Sequence, residues 1–446
     1  MTNHTRRDWP YPGSRWWKFD FHTHTPASRD TPWHGLIGQE DALTPEQWLL
    51  RYMAADIDCV AITDHNSGAW VDCLKTAYGR MKAQADAGTA PDGFRELTLF
   101  PGVELSVQGG FHLLAVFDPS TTTSGIDTLL GRVGYEGTKG DSDGVTRLGA
   151  AEVVRAVIAA GGIPIPAHAD RQGDQGKALL AVREGTRECR FDADTIRQVM
   201  DTDGLLAVEW EDMAHPLPSR VEKQAKRLAR VLGSDCHNFR NANRPGSRFT
   251  WVKMATPALG GLRLALMDGE RFSIRRGDDP RPFDPFALPE HFIEAVQITD
   301  ARYMGQGESA RLECNPWFNA LIGGRGTGKS TVVHALRLGL RREHELDRLD
   351  EHSEPRATFE RFNRIPRGRD DEGGLRDTTA ITLSIMRDTV RHHLHWRRDG
   401  TGPVVEEESD TGRKESASQE VCRVMEGGRE AFERRYQRLG REVSGV

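Results

Sequence analysis

The sequence predicts an α/β protein in two parts: a closed barrel of about seven strands, then a smaller α/β lobe. Three observations carry that prediction. Short apolar runs alternate with amphipathic stretches up to about residue 275. A proline- and aspartate-rich break follows. Beyond it, an apolar run leads into a glycine loop and a helix-like segment. Buried strands alternating with helices imply parallel strands joined by helical crossovers.

In chain order, the strand candidates are Trp17–Phe21, Cys59–Ile62, Leu97–Phe100, Leu113–Phe117, Gly162–Ile165, Leu205–Val208 and Val231–Leu232. Each ends in polar or ionisable residues. A helix over Pro45–Ala55 follows Thr44, a suitable N-cap, with Glu46 and Gln47 in its first turn. Ala150–Ala160 carries Val153, Val154, Val157 and Ile158 on one face and stops at Gly161–Gly162. Val221–Arg230 is a shorter helix candidate. The first domain is therefore set at 1–275.

The break, 276–291, holds Pro280, Pro282, Pro285 and Pro289 among aspartates, which is linker chemistry. The second domain, 292–446, opens with alternating strands. Asn319–Ile322 reads as a strand entering the glycine loop and Thr331–Leu340 as the helix leaving it. Ile381, Leu383, Ile385, then Arg387–Asp388, then Val390, Leu394 and Trp396 read as a β-hairpin. Glu406–Ser418 reads as a solvated loop.

Composition excludes several classes. The chain has 446 residues; 60 Lys+Arg against 66 Asp+Glu give a net charge of −6. That argues against a uniformly basic nucleic-acid coat and leaves local grooves open. No run of 18 apolar residues suits a membrane span, and the first 20 residues carry no apolar leader, so the expected location is cytoplasmic. Six cysteines without a CxxC pair do not make a disulfide framework.

Ionisable residues gather at the strand ends. Phe19-Asp-Phe-His-Thr-His places His22 and His24 two apart, on one face of a strand, where both imidazoles reach one ion. Ala61-Ile-Thr-Asp-His supplies Asp64 and His65, Pro101-Gly-Val-Glu supplies Glu104, and Phe111-His-Leu-Leu supplies His112. Ile165-Pro-Ala-His adds His168; Gly233-Ser-Asp-Cys-His adds Asp235 and His237. Imidazole with carboxylate and no thiolate suits Zn, Mn or Fe. So many ligands exceed one ion's coordination, and a carboxylate such as Glu104 could bridge two. Clustered divalent ions favour phosphoester hydrolysis. Cys236 reads as a small buried filler. Glu209 and Glu211 suit a cavity wall or a solvated strand end equally. His34, His215 and His291 carry no motif, and Trp16–Trp17 reads as packing.

These motifs resemble the PHP (polymerase and histidinol phosphatase) family over about Trp17 to Arg275. The resemblance implies a distorted (β/α)7 barrel holding two or three divalent metals. It implies metal ligands at His22, His24, His65, Glu104, His112, His168, Asp235 and His237, and a further one, shortly after the HxH, at Asp30. Among them His22, His24, Glu104 and Asp235 are expected to act in catalysis.

The second motif is Gly323-Gly-Arg-Gly-Thr-Gly-Lys-Ser, a complete G-x-x-x-x-G-K-[ST]. Gly323, Gly324, Arg325, Gly326, Thr327 and Gly328 would cradle phosphates with backbone N–H groups. Lys329 would reach the β and γ phosphates, Ser330 would hold Mg²⁺, and Thr331 completes the site. ATP with Mg is the expected ligand. Hydrolysis also needs an acidic residue at a neighbouring strand end. Asp388 reads as a turn residue instead, and no signature motif is present. The surroundings resemble the N-terminal lobe of an SMC- or ABC-type ATPase head, with its C-terminal part truncated. ATPase activity and a homodimer through the head would belong to the complete protein. This chain is expected to bind ATP weakly without turning it over.

The joined pattern resembles the TrlF-type PHP–ATPases of bacteria. It implies a metal-dependent phosphoester hydrolase acting on DNA or RNA, in repair or phage defence. A small-molecule (nucleotide) phosphatase is the alternative, disfavoured by the P-loop. An ATP-dependent sensor or scaffold with a non-catalytic barrel is the third reading, disfavoured by the full ligand set. The Arg-rich stretches Arg341–Arg348, Arg391–Arg398 and Arg434–Arg441 read as solvated faces. His392, His393 and His395 do not suit a metal, because adjacent strand residues point apart.

Overall fold

The computed structural model describes residues 9–171, 177–180, 191–215, 222–368, 371–387, 389–400, 405–409 and 412–415. Asp388 and Arg434–Arg441 lie outside them. The described chain falls into two compact units, Ser14–Pro285 and the chain from Phe286 together with the residues up to Gly13.

The first unit is mixed α/β. Its elements are β1 (Arg15–Asp20), α1 (Pro45–Ala54), β2 (Cys59–Ile62), α2 (Val71–Asp86), β3 (Thr98–Val107), β4 (Phe111–Val116), α3 (Thr123–Val133), β5 (Tyr135–Glu136), β6 (Val145–Thr146), α4 (Ala150–Ala159), β7 (Ile163–Pro166), α5 (Ala193–Met200), β8 (Ala207–Glu209), α6 (Glu222–Ala225), β9 (Ala229–Val231), β10 (Thr250–Met254), α7 (Leu259–Asp268) and β11 (Ile274–Arg276). Thr44 caps α1 as expected: its hydroxyl accepts from Gln47 N, and the Gln47 side chain accepts from Thr44 N.

A curled seven-stranded sheet runs β11-β10-β1-β2-β3-β4-β7. Its core pairs β1–β2 and β2–β3 are parallel. The all-parallel expectation fails elsewhere. β3–β4, β4–β7, β1–β10 and β10–β11 are antiparallel. β3 runs through Pro101 and Gly102 to Val107, ten residues in all, and turns straight back at Gly109 and Gly110. A connection that short can only make a hairpin. β8 and β9 form a separate parallel pair. Of the helix expected over Val221–Arg230, the described residues keep Glu222–Ala225, and Ala229–Val231 is taken up as β9 beside β8.

Hydrogen bonds carry the curl onward. Ala169 N donates to Glu209 O beside β8, and beyond β9 Asp235 N donates to His22 O and His24 N to Cys236 O. The chain after β9 thus lies beside the chain after β1. Apolar clusters fill the inside of the sheet (Phe19, Phe21, Phe100, Ile165, Val231) and the space under the helices. Part of the expected linker also belongs to this unit. Arg276 is buried and bonds Trp210 O and Asp278, and Phe283 packs edge-on against Trp16.

The second unit holds β12 (His291–Thr299), β13 (Ala310–Glu313), α8 (Lys329–Gly339), α9 (Glu354–Phe362), β14 (Ala380–Arg387), β15 (Val390–Arg397), β16 (Val405–Ser409) and β17 (Gly412–Glu415). Its sheet runs β13-β12-β14-β15-β16-β17 and is antiparallel throughout. The expected hairpin is present as β14–β15. One face, with Val296, Ile298, Ile381, Leu383 and Leu394, packs with Val332, Ala335 and Leu338 of α8.

Two expectations are corrected here. Asn319–Ile322 is not a strand: it joins no ladder among the described residues, and Ile322 is 91% exposed. Asn319–Ile322 lies beyond β13, an edge strand that pairs with β12 alone among the described strands. Glu406–Ser418 is not simply a loop, because it contains β16 and β17. Across the β15–β16 pair, Glu408 forms an ion pair with Arg391 (3.0 Å) and lies 2.7 Å from His393, and Glu406 lies 3.1 Å from His395.

Candidate metal centre

The polar ends of several strands meet at one place. Beyond β1 the chain stays extended, and Thr23 ties it to β2: its hydroxyl donates to Ala61 O. Thr23 therefore points one way and its neighbours His22 and His24 the other, with their Nε2 atoms 3.3 Å apart. Beyond β2, His65 bridges to Glu104 in a short parallel contact, with Glu104 N donating to Asp64 O. His112 enters from β4, His168 from the end of β7, and Asp235 with His237 from the turn after β9.

Glu104 stands at the centre, fully buried. Its Oε2 lies 3.3 Å from His22 Nε2, 3.7 Å from His24 Nε2 and 2.8 Å from His65 Nδ1. Its Oε1 lies 2.7 Å from His112 Nδ1 and 3.3 Å from His168 Nε2. Asp235 Oδ1 is 3.5 Å from His22 Nε2, 3.4 Å from His24 Nε2 and 3.5 Å from His237 Nδ1. Asp30 Oδ2 is 3.1 Å from His65 Nε2 and 3.0 Å from His237 Nε2. All nine residues singled out as ligands thus share one cluster.

The charges are arranged in opposition. Burial disfavours a charged His22, but Glu209, Glu104 and Asp235 outweigh it and raise its pKa well above the usual imidazole value. Burial is also outweighed at His65, which Glu104 and Asp30 raise to about 10, and at His237, which Asp30 and Asp235 raise. His24, buried and facing His237, is pushed down to about 3; burial takes His112 down to about 4. Despite burial, Glu104 is held well below the carboxylate range by His112, His22 and His65. Asp235 is held low by His22 and His24 against burial, and Asp30 by His237 and His65.

The donor set fits divalent cations. His65 Nδ1, Glu104 Oε2, His112 Nε2 and His168 Nδ1 are buried without a hydrogen bond. Orphaned buried polar atoms are costly, and a cation shared by His65, Glu104 and His112 would give those three residues a partner. Three overlapping groups have ligand atoms close enough to hold an ion: His22, His24 and Glu104; His65, Glu104 and His112; His24, His65 and His237. Cys236 is buried, as a small filler would be, and burial pushes its thiol up to about 12. Two site residues adopt the left-handed backbone region, His168 at φ 33° and Asp235 at φ 54°.

Several contributors carry no motif. Arg171, three residues after His168, donates through Nη2 to Asp235 Oδ2 at 2.7 Å and grips both oxygens of Glu211. Arg248 donates to the same Glu211 at 3.2 Å. Glu209, which suited a wall or a solvated end equally, is buried against His22. Of the residues read as bystanders, His34 Nδ1 lies 2.8 Å from Pro26 O, and His215 Nδ1 lies 2.9 Å from Asp170.

The glycine loop belongs to the second unit. Gly328, at φ 88°, precedes α8. Lys329 Nζ folds back onto its own loop, donating to Gly323 O and Gly324 O at 2.6 Å each.

No family model matches the chain, and no curated protein does. Among solved structures, the lesion-specific endonuclease PfuEndoQ from Pyrococcus furiosus is similar at 15% identity and a TM-score of 0.41, over 62% of this chain and 61% of that one. Endonuclease Q in complex with a 27-mer duplex bearing an abasic lesion is similar at 15% identity and a TM-score of 0.39, over 57% of each chain. A protein from Bifidobacterium adolescentis, provisionally assigned as a metal-dependent phosphoesterase, is similar at 19% identity and a TM-score of 0.34, over 56% of this chain and 96% of that one. The chain thus spans about three fifths of each endonuclease structure.

Proposed function

We propose that the first unit is a metal-dependent phosphoester hydrolase of the PHP type, built on a distorted (β/α)7 barrel and acting on nucleic acid. The observation that carries this reading is Glu104, whose two oxygens serve separate groups of imidazoles. His22, His24, Asp30, His65, Glu104, His112, His168, Asp235 and His237 would hold two or three Zn, Mn or Fe ions. Such ions supply Lewis acidity to a phosphoryl group and lower the pKa of water.

The chain's own residues do the rest. Glu104, Asp235 and Asp30 bring negative charge among the imidazoles. His22, His24, Glu104 and Asp235 form the part nearest the reacting atoms. Arg171 sits beside Asp235 with its side chain 34% exposed, placed to meet a phosphoryl oxygen by charge-assisted hydrogen bonds. Arg248 reinforces that positive rim.

The second reading concerns the other unit. The complete Gly323–Ser330 motif followed by α8 supports binding of ATP with Mg, with Lys329 leaving its loop carbonyls to meet phosphate. Turnover is not expected of this chain.

The experiment is an assay of the full chain with Mn²⁺ or Zn²⁺ on single- and double-stranded DNA, RNA and mononucleotides. Cleavage of the polymers, abolished by chelator and by Glu104→Gln, is the expected result. Hydrolysis confined to mononucleotides would move the assignment to a small-molecule phosphatase. No hydrolysis of any substrate by the metal-loaded protein would favour the non-catalytic reading.

A further inference from the structure

The two imidazoles of the HxH pair are braced from behind by different carboxylates. His22 Nδ1 lies 2.9 Å from Glu209 Oε2, and the same oxygen accepts from His168 N at 2.8 Å. His24 Nδ1 lies 3.0 Å from Ser28 Oγ, whose hydroxyl donates to Asp64 Oδ1 at 2.7 Å. In both rings Nδ1 is tied outward, which leaves Nε2 facing Glu104 and Asp235. Glu209 is 2% exposed and sits at the end of β8, reaching across to a residue 187 positions earlier. The chain makes room for that contact: a Cβ on Gly233 would lie 2.6 Å from His22 N and Cβ and 3.0 Å from Glu209 Oε1.

We propose that Glu209 is a positioning residue that fixes the ring orientation of His22 and, through the His168 amide, the turn that presents His168. The inference rests on the metal-centre reading above. A carboxylate accepting from Nδ1–H forces the other nitrogen to be the ligating one and raises its basicity. Glu209 touches no substrate in this role. A single oxygen shared between an imidazole and a backbone amide couples two ligands that enter from β1 and β7. Asp64 serves His24 through an intervening hydroxyl, so the two braces are independent of each other.

The test uses the full chain and the variants Glu209→Ala and Glu209→Gln. With histidine labelled at its ring nitrogens, the metal-free wild type should show a low-field, slowly exchanging Nδ1–H resonance that is absent in His22→Asn. That signal is expected whether His22 is neutral or protonated, because Nδ1 bears a proton in either case. It should disappear in Glu209→Ala and be weakened in Glu209→Gln, whose amide oxygen can still accept. Calorimetric titration with Zn²⁺ should show affinity falling about 10–100-fold in Glu209→Ala, with a smaller loss in Glu209→Gln. A persisting His22 resonance in Glu209→Ala, or its absence from the wild type, overturns the proposal. Unchanged Zn²⁺ affinity in Glu209→Ala overturns it as well. A wild type that binds no Zn²⁺ but carries the Glu209-dependent resonance retains the brace and defeats the metal-centre reading instead.

Discussion

His112 Nδ1 meets Glu104 Oε1 at 2.7 Å as a diagonal pair across the β3–β4 hairpin: Glu104 stands opposite Leu114, and His112 opposite Ser106. Diagonal neighbours on one sheet face lie within reach of long side chains. The antiparallel return of β4 therefore builds half of the central contact. A parallel strand entered by a helical crossover would bring its residues to the sheet in the opposite direction.

Replacing Glu104 with Gln should remove metal binding and leave His22 and His65 without their shared counter-charge. Breaking a buried ion pair on one side costs about 3–5 kcal/mol. Thermal unfolding of the metal-free variant should show a clear fall in midpoint, and elemental analysis should find little bound metal. A variant that keeps both its metal and its melting temperature would remove Glu104 from the centre.

Metal binding should release protons. The raised pKa values of His22 and His65 mean that these rings hold protons in the metal-free protein at neutral pH, and His237 is shifted in the same direction. Ligation requires their loss. Apparent affinity should therefore rise with pH, through about 10 for His65. Calorimetry in buffers of different ionisation enthalpy should report roughly one to three protons released at pH 7. Affinity that falls as pH rises from 6 to 8 would contradict the assigned charges.

Arg171→Ala should weaken turnover of a phosphoester more than it weakens metal binding. A hydrogen bond to a charged group is worth about 1.5–3 kcal/mol, or roughly 10–150-fold in kcat/KM. Glu211 would lose its bidentate partner but retain Arg248. Unchanged kcat/KM on every substrate cleaved by the wild type would leave Arg171 with a purely structural task.

Lys329→Ala should abolish ATP binding and leave the metal content of the first unit unchanged. Calorimetry with ATP and elemental analysis on the same preparations measure both. Equal ATP affinity in the two proteins would strip Lys329 of its assigned role. Sustained ATPase activity lost in Lys329→Ala would show that the site is catalytically complete.

Much of the site was legible because its chemistry sits on local spacing. His22 and His24 share a face because strand residues two apart do so. The Thr44–Gln47 capping box was legible for the same local reason. What escaped was non-local. The strand expected over Leu97–Phe100 stops before Pro101 and Gly102, yet β3 passes through them, with Pro101 paired to Ile62 in register. The acidic run Glu406–Glu408 has no strand pattern of its own, and its partners Arg391, His393 and His395 come from across the ladder. Glu209 and Arg171 follow no motif. They act through partners 187 and 64 positions away, and spacing along the chain carries no trace of such a meeting.

The left-handed backbone at His168 and Asp235 sets stability against function. A residue with a Cβ is held there at a conformational cost of about 1–3 kcal/mol. Glycine would relieve that cost at both positions while deleting two proposed ligands. That relief is smaller than the cost of leaving His22 and Arg171 without Asp235, so Asp235→Gly should lower the melting temperature of the metal-free chain as it dismantles the centre. The charged contacts that define the centre thus also hold its strained backbone in place, so losing them would loosen the turns that present both ligands.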